Sequence, residues 1–262
     1  MPTLRRITVY PIKSLDGRDV AKAGVLPGGA LQHDRRWAIY DAQGRVVNGK
    51  RTPAINAIRA AFNEKLSTVS LSRDAGGSLA SSRQFQLPGD TTAAAEWLSE
   101  ALGLKCRLVE NADDGFPDDT LAAGPTLIST ASLAAAAAWF PGLDVADMRR
   151  RIRANLEFDA PEAFWEDRLA DDGLQQPRFS IGNAVYCGRT ICARCVVPTR
   201  DSQTGEAIGG FARAFADRRA AELPAWSPAE QFNHFYRLAI NTAPEWIEDG
   251  TVLRVGDELV IT

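Results

Sequence analysis

Cysteine and histidine are both scarce in this chain of 262 residues, which has four of the first and two of the second. Four cysteines in a chain this long do not make a disulfide-stapled secreted scaffold. In a reducing compartment a close cysteine pair points instead to a metal or catalytic site. Two histidines, His33 and His234, make a histidine-rich zinc or non-haem iron centre arithmetically difficult. His234, in QFNHFYRLAI, reads as a partly buried structural residue. No stretch of about 18 uninterrupted apolar residues occurs, and the start, MPTLRRITVYPIKSL, lacks the apolar core of a secretion signal. A cytoplasmic protein with no membrane partner is expected. The formal net charge of −3, with both signs mixed along the chain, offers no electrostatic reason to expect nucleic acid. Walker A, G-x-G-x-x-G, G-x-S-x-G and H-E-x-x-H signatures are all missing, so the common nucleotide, hydrolase and zinc-protease chemistries are not announced.

What is present is mostly strand pattern. ITVY is β-branched and aromatic. RWAIYDAQGRVVNGK sets apolar residues either side of a turn, and AIRAAFNEKLSTVSLS repeats the arrangement. TTAAAEWLSEALG then carries Ala, Trp and Leu at helical spacing, with a threonine placed to cap its start and Gly103 its end. CRLVE returns to strand. The polar, Gly- and Pro-rich stretch that follows, NADDGFPDDTLAAGP, suits a domain junction. The expected organisation is a domain over 1–115 and a second over 116–262. In the second, TLISTASLAAAAAWF reads as a strand running into an Ala-rich helix capped by Ser129, Thr130 or Ser132. RIRANLEFD alternates like a strand, Phe179 to Val197 reads as two strands joined at Cys187 to Arg189, and Thr251 to Thr262 alternates again. The fold class is a β-rich α+β protein with a few peripheral helices.

The residues that carry chemistry lie in ICARCVVPTRDSQTGE. Cys187, Cys192 and Cys195 are spaced C-x4-C-x2-C, as in the first three ligands of a plant-type iron–sulfur cluster, but no fourth cysteine lies downstream. A structural zinc wants paired ligand sets, and only one C-x-x-C exists. A third reading makes one thiolate the single protein ligand of a soft metal whose other ligands come from an organic cofactor; Arg194 and Arg200 favour a thiolate there. In a fourth, the cysteines are small apolar fillers of a strand.

Six segments in order, YPIKSLDG, HDRRWAIYD, LISTASL, RIRANLEF, CARCVVPTRDSQTG and VGDEL, resemble the motif series of the MOSC family with its N-terminal β-barrel domain, over Tyr10 to Leu259. Its members include the amidoxime-reducing components and bacterial reductases of N-hydroxylated bases. The resemblance implies an N-terminal β-barrel-like domain followed by a MOSC β-barrel domain, with a molybdenum cofactor, a phosphorylated pterin dithiolene (molybdopterin), held between the lobes. Cys195 matches the position that ligates the metal. Lys13, Ser14, Arg35, Arg153 and Asn155 match positions around the phosphate, whose charge must be met by such donors when it leaves water. Ser129, Thr130 and Ser132 precede a helix whose N-terminal amides favour an anion, Arg194 faces cofactor or substrate, and Asp201 matches an acidic position after the ligand cysteine, suited to relaying protons. The implied reaction is two-electron reduction of a small N-hydroxylated or N-oxide substrate. The chain carries no cysteine after Cys195, so a separate electron donor is expected: a ferredoxin, a flavodoxin or a cytochrome with its reductase. Sulfur carriage, with a persulfide on Cys195, and a cofactor-binding module without turnover are the other functions open to such a chain.

Overall fold

The computed structural model describes residues 1–73, 82–174 and 176–262 and is mostly β, with four α-helices among the described residues. The strands of the first half are β1 (Leu4–Val9), β2 (Arg18–Val20), β3 (Lys22–Gly24), β4 (Trp37–Asp41), β5 (Ile58–Phe62), β6 (Thr68–Arg73), β7 (Arg83–Gln86) and β8 (Cys106–Glu110), with helix α1 at Thr91–Leu102. The second half adds β9 (Leu127–Ser129), α2 (Thr130–Ala138), α3 (Val145–Ile152), β10 (Leu156–Phe158), β11 (Arg178–Ile181), β12 (Ala184–Ala193), α4 (Phe211–Ala221), β13 (Arg237–Trp246), β14 (Val252–Arg254) and β15 (Leu259–Ile261).

The largest sheet has eight strands in the order β15-β11-β12-β13-β9-β10-β1-β2. Strands β1 and β2 therefore complete a sheet otherwise built from residues after 126, with Ile7 opposite Leu156 and Val9 opposite Arg18. The smaller sheets are β14-β3, β4-β8 and β5-β6-β7. Alternation explains β5 and β6: Ile58, Ala60 and Phe62 face inward with Val69 and Leu71, and the intervening residues do not. These side chains form one core with Trp37, Ile39, Phe85 and Leu98 of α1. A second core lies under the large sheet, around Ile7, Leu156, Phe179, Tyr186 and Ile240. A third is enclosed by α2, α3 and α4.

Gly103 ends α1 in the left-handed conformation, φ 67°, as the capping pattern requires. At its start Asp90 rather than Thr91 stands in the cap position, with its carboxylate accepting from the Gln86 amide at 2.7 Å. Two other expectations change. RIRANLEFD is not one strand: Arg151 and Ile152 close α3, whose cap residue Asp144 accepts from the Asp147 amide at 2.7 Å, and only Leu156–Phe158 is extended. The strands of 178–193 join at Gly182 and Asn183, not at Cys187 to Arg189. Gly188 lies inside β12, where a Cβ would overlap the Leu169 carbonyl oxygen. The glycine marks a close approach of backbones and not a turn.

Candidate functional site

A cavity of ≈ 560 Å³ is lined by residues from both halves of the chain: the segment after β1, the loop before β4, residues 48–59, the connection at 114–126, the end of α3 and the segment after β12. Its wall has eleven Lys and Arg against five Asp and no Glu, a surplus of six positive charges in a chain whose net charge is −3. The small overall charge conceals a concentrated local field.

Local backbone geometry aims several of these groups. Seven described non-glycine residues have positive φ, and Ser14 (74°), Arg35 (48°) and Arg153 (57°) are among them and line the cavity. Such conformations cost about 1 kcal/mol or more each and persist where the surroundings hold them. Arg153 is the residue that terminates α3, and its Nη2 donates to the Leu15 carbonyl at 2.8 Å. Its guanidinium lies over the Tyr10 ring, 4.2 Å from the centroid, and that of Arg35 lies 5.5 Å from the same ring. Tyr10 is buried, and burial raises its phenol pKa against the pull of the two arginines, so the ring stays neutral between them. Burial opposes the charge on both cations as well. In Arg35 the adjoining Asp34 carboxylate, together with Asp118 and Tyr10, more than offsets it and its pKa lies above the ordinary arginine value; in Arg153, which has no ion-pair partner among the described residues, the pKa is lowered.

Asn155 does not line the cavity. It is buried behind Arg35, accepting from Arg35 Nη1 and from the Thr126 amide, each at 3.3 Å, and donating to the Thr8 carbonyl at 3.1 Å. Lys13 lines the wall with its ammonium already engaged: Nζ donates to the carbonyls of Phe116 and Pro117 and lies 2.8 Å from the Asp118 carboxylate. Burial would raise the pKa of Asp118, but Lys13 and its neighbours outweigh that and hold it below the usual range.

At the other part of the wall lie Cys192, Arg194 and Cys195. Both thiols are half-buried and unbridged. Arg194 Nη1 donates to Cys192 Sγ at 3.1 Å and its Nη2 to the Ile152 carbonyl at 2.7 Å, while Cys195 Sγ accepts from the Val197 amide at 3.5 Å. Cys187, bonded to Glu245, and Cys106, in β8, lie outside the lining, so the C-x4-C-x2-C spacing does not assemble there. Among the described residues no group of three or more His, Cys, Asp or Glu could hold a metal ion by itself. A metal at Cys195 would need its other ligands from a bound molecule.

Besides Asn155, four of the residues singled out from the sequence stand outside the wall. Ser129, Thr130 and Ser132 are not in the cavity wall. Ser129 caps α2 by accepting from the Ser132 amide at 3.1 Å; Ser132 Oγ donates to the buried Glu166 carboxylate at 2.8 Å, and Thr130 Oγ1 to Glu157 at 3.1 Å. The helix start is satisfied from within the protein, which removes the reason to place an anion on it. Asp201 accepts from the Gln203 and Thr204 amides at 2.9 and 2.8 Å and shapes the turn; those bonds, that of Thr204 first, hold its pKa low.

Composition and spacing left other wall residues unnoticed. Tyr10 lies in the same YPIKS segment as Lys13, Arg149 to Arg151 form a run of arginines just before RAN, Arg59 lies in β5, and Lys50 and Asp118 come from loops with no pattern of their own. Arg151 is almost wholly buried, with Nη1 donating to the carbonyls of Pro198 and Arg200, so it anchors the segment after Cys195.

Residues 1–105 match the MOSC N-terminal beta barrel domain. The chain therefore carries a MOSC N-terminal beta barrel domain, as YPIKSLDG and HDRRWAIYD implied. It is 26% identical over 264 residues to the molybdenum cofactor sulfurase of Danio rerio, covering 84% of this chain and 31% of that protein. It is 27% identical over 128 residues to the molybdenum cofactor sulfurase of Oryza sativa subsp. japonica, covering 40% of this chain and 15% of that one. The chain thus spans about a third or less of the curated relatives it matches. No helix of the described residues is long and apolar enough to cross a membrane.

Proposed function

We propose that the cavity binds the molybdenum cofactor, with Cys195 as the protein's ligand to the metal, and that the chain reduces small N-hydroxylated or N-oxide compounds there as a cytoplasmic oxidoreductase. The observation that carries this reading is a thiol and two arginines without carboxylate partners on one cavity wall. Arg153 and Arg194 are fixed by the carbonyls of Leu15 and Ile152, and among the described residues neither of them forms an ion pair. The Nε atom of Arg194 is buried and without a hydrogen-bond partner. A buried guanidinium in that condition is stabilised by an incoming anion.

The residues fit the group. Arg35 and Arg153, spaced by the Tyr10 ring and backed by Asn155, suit a phosphate; Ser14 and Lys13 border the same part of the wall, Lys13 also tying the 116–118 segment into place. A soft metal suits the Cys195 thiolate. When bound, the cofactor supplies a two-electron couple able to take the oxygen of an N–O bond and release it as water. The chain's part is to hold that group, neutralise its charge, exclude bulk water and leave room for substrate. Electrons come from a separate ferredoxin, flavodoxin or cytochrome with its reductase. The segments 1–115 and 116–262 are the two domains of this reading, with β1 and β2 of the first lying in the eight-stranded sheet of the second.

A second reading, supported by the names of both relatives, makes Cys195 a persulfide carrier in cofactor assembly. One preparation separates the two. Protein from a molybdate-supplemented host able to make the cofactor is assayed for molybdenum and for oxidised pterin by fluorescence, and the reduced protein is then mixed with hydroxylamine-type compounds. About one metal and one pterin per chain, both lost in Cys195→Ala, with rapid reoxidation of the wild type, upholds the reductase. A labile persulfide on metal-free protein overturns it in favour of the carrier.

A further inference from the structure

The cationic wall falls into two parts held by different elements. Tyr10, Arg35 and Arg153 belong to the segment after β1, the loop before β4 and the end of α3, and Arg153 is tied to Leu15. Arg200 belongs to the segment after Cys195, where its Nη1 donates to the Gly205 carbonyl at 3.2 Å and its Nε is buried and unpartnered. Among the described residues no carboxylate forms an ion pair with Arg200 or with Lys50.

The 48–56 segment packs directly on this part. A Cβ at Gly49 would lie 3.3 Å from Val197 Cγ2, and one at Gly205 3.1 Å from Asn56 Nδ2. Lys50, Asn56 and Arg200 consequently border the same side of the cavity as Cys195, with Lys50 exposed at the mouth. Four wall cations, Arg6, Arg149, Arg150 and Arg151, pair with Glu157 and Asp147 outside the lining, so that among the described residues Arg200 and Lys50, with Arg153 and Arg194, are the wall cations that form no ion pair.

We infer that Arg200, with Lys50 and Asn56 at its edge, is an oxyanion subsite for the substrate, so that the preferred substrates are N-oxygenated compounds bearing a carboxylate or phosphoryl group. The guanidinium offers parallel N–H donors that match either group, and Asn56 adds a neutral donor that orients it. The N-oxygenated half of this inference rests on the reductase reading; the anion half rests on the wall alone.

The test is equilibrium binding by titration calorimetry to the purified full chain. The probes are benzamidoxime, 4-carboxybenzamidoxime and 4-phosphonobenzamidoxime, and molybdenum and pterin are measured on the same samples. Wild type should prefer a charged probe over the uncharged one by about tenfold or more, the range of a charge-assisted hydrogen bond. The carboxylate and phosphonate arms show which oxyanion is preferred. Arg200→Gln should abolish the preference and Arg200→Lys retain part of it, with pterin content at the wild-type level in both. Absence of any preference in wild type, equal loss for charged and uncharged probes in Arg200→Gln, or loss of pterin in that variant would overturn the inference, the last by assigning Arg200 to the cofactor. If the chain holds no cofactor yet binds the charged probes through Arg200, the subsite stands and the reductase reading falls.

Discussion

Arg194, placed between the two cysteines in the sequence, donates to Cys192 Sγ at 3.1 Å and not to Cys195. The two thiols of the C-x-x-C are thereby distinguished. Cys192 shares a guanidinium, whereas among the described residues Cys195 accepts only a long bond, from the Val197 amide at 3.5 Å, and keeps sulfur lone pairs for another partner. Cys192→Ser is expected to retain molybdenum at close to wild-type stoichiometry, and Cys195→Ser to lose it. Elemental analysis of the two variants beside wild type checks this; equal loss in both would make the pair, and not Cys195, the ligand.

Tyr10 separates two guanidinium groups that would otherwise repel at close range. Tyr10→Phe keeps the ring and loses only a long 3.4 Å hydrogen bond to the Ala154 carbonyl, so a change below about 1 kcal/mol in stability and normal pterin content are expected. Tyr10→Leu removes the spacer from a buried position and should cost about 2–4 kcal/mol while lowering pterin content. Urea unfolding and pterin fluorescence are the measurements.

The buried ion pair of Arg219 and Asp167 ties α4 to the segment after Phe164, with Arg219 held over the Phe164 ring and Ser227 donating to the same carboxylate. Both side chains are almost fully enclosed. Arg219→Met should destabilise the fold by about 3–5 kcal/mol, because it leaves a buried carboxylate without its cation. Arg219→Met combined with Asp167→Asn should recover part of that loss, which denaturation midpoints of the single and double variants will show.

Glu166 is buried beside Ser132, and burial, reinforced by Asp167, pushes its pKa up to about 7 from 4.5. The folded state therefore holds a proton that the unfolded chain releases at lower pH. Its contribution to stability is complete below about pH 4.5 and is lost as pH rises toward 7, a change of about 3 kcal/mol. His33, lowered by burial and by Arg36, acts with the opposite sign near neutrality, so the contribution is isolated as the difference between wild type and Glu166→Gln. That difference in melting temperature should grow from pH 5 to pH 7 in favour of the glutamine variant; a pH-independent difference would remove Glu166 as its source.

Much of this architecture was legible because local rules and the final environment agree. Alternation in β5 and β6 matches the burial of Phe62, Val69 and Leu71, and the glycine after α1 adopts the left-handed cap that its position called for. The misreadings have identifiable causes. Gly188 has the composition of a turn, but its absent side chain answers to the Leu169 backbone, 19 residues away in sequence. Ser129, Thr130 and Ser132 look the same in sequence whether they cap a helix, bind Glu166 or receive a phosphate, and only the position of Glu166 separates these roles.

The sequence by itself determined the strand-rich class, the motif order that resembles the MOSC series and the placement of a cysteine pair ahead of a tight polar turn, because each depends on neighbours a few residues apart. Only the tertiary structure decided which cations converge. Arg35, Arg153 and Arg200 are separated by up to 165 residues, and the pairing of β1 with β10 brings the first two onto one tyrosine. Carboxylates at Asp34 and Asp118 neutralise some of the wall's cations and leave others without an ion pair. Charge pairing depends on distances set by the whole fold, so a net charge of −3 could not disclose a wall of eleven cations or which of them pair with Glu157 and Asp147 outside the lining.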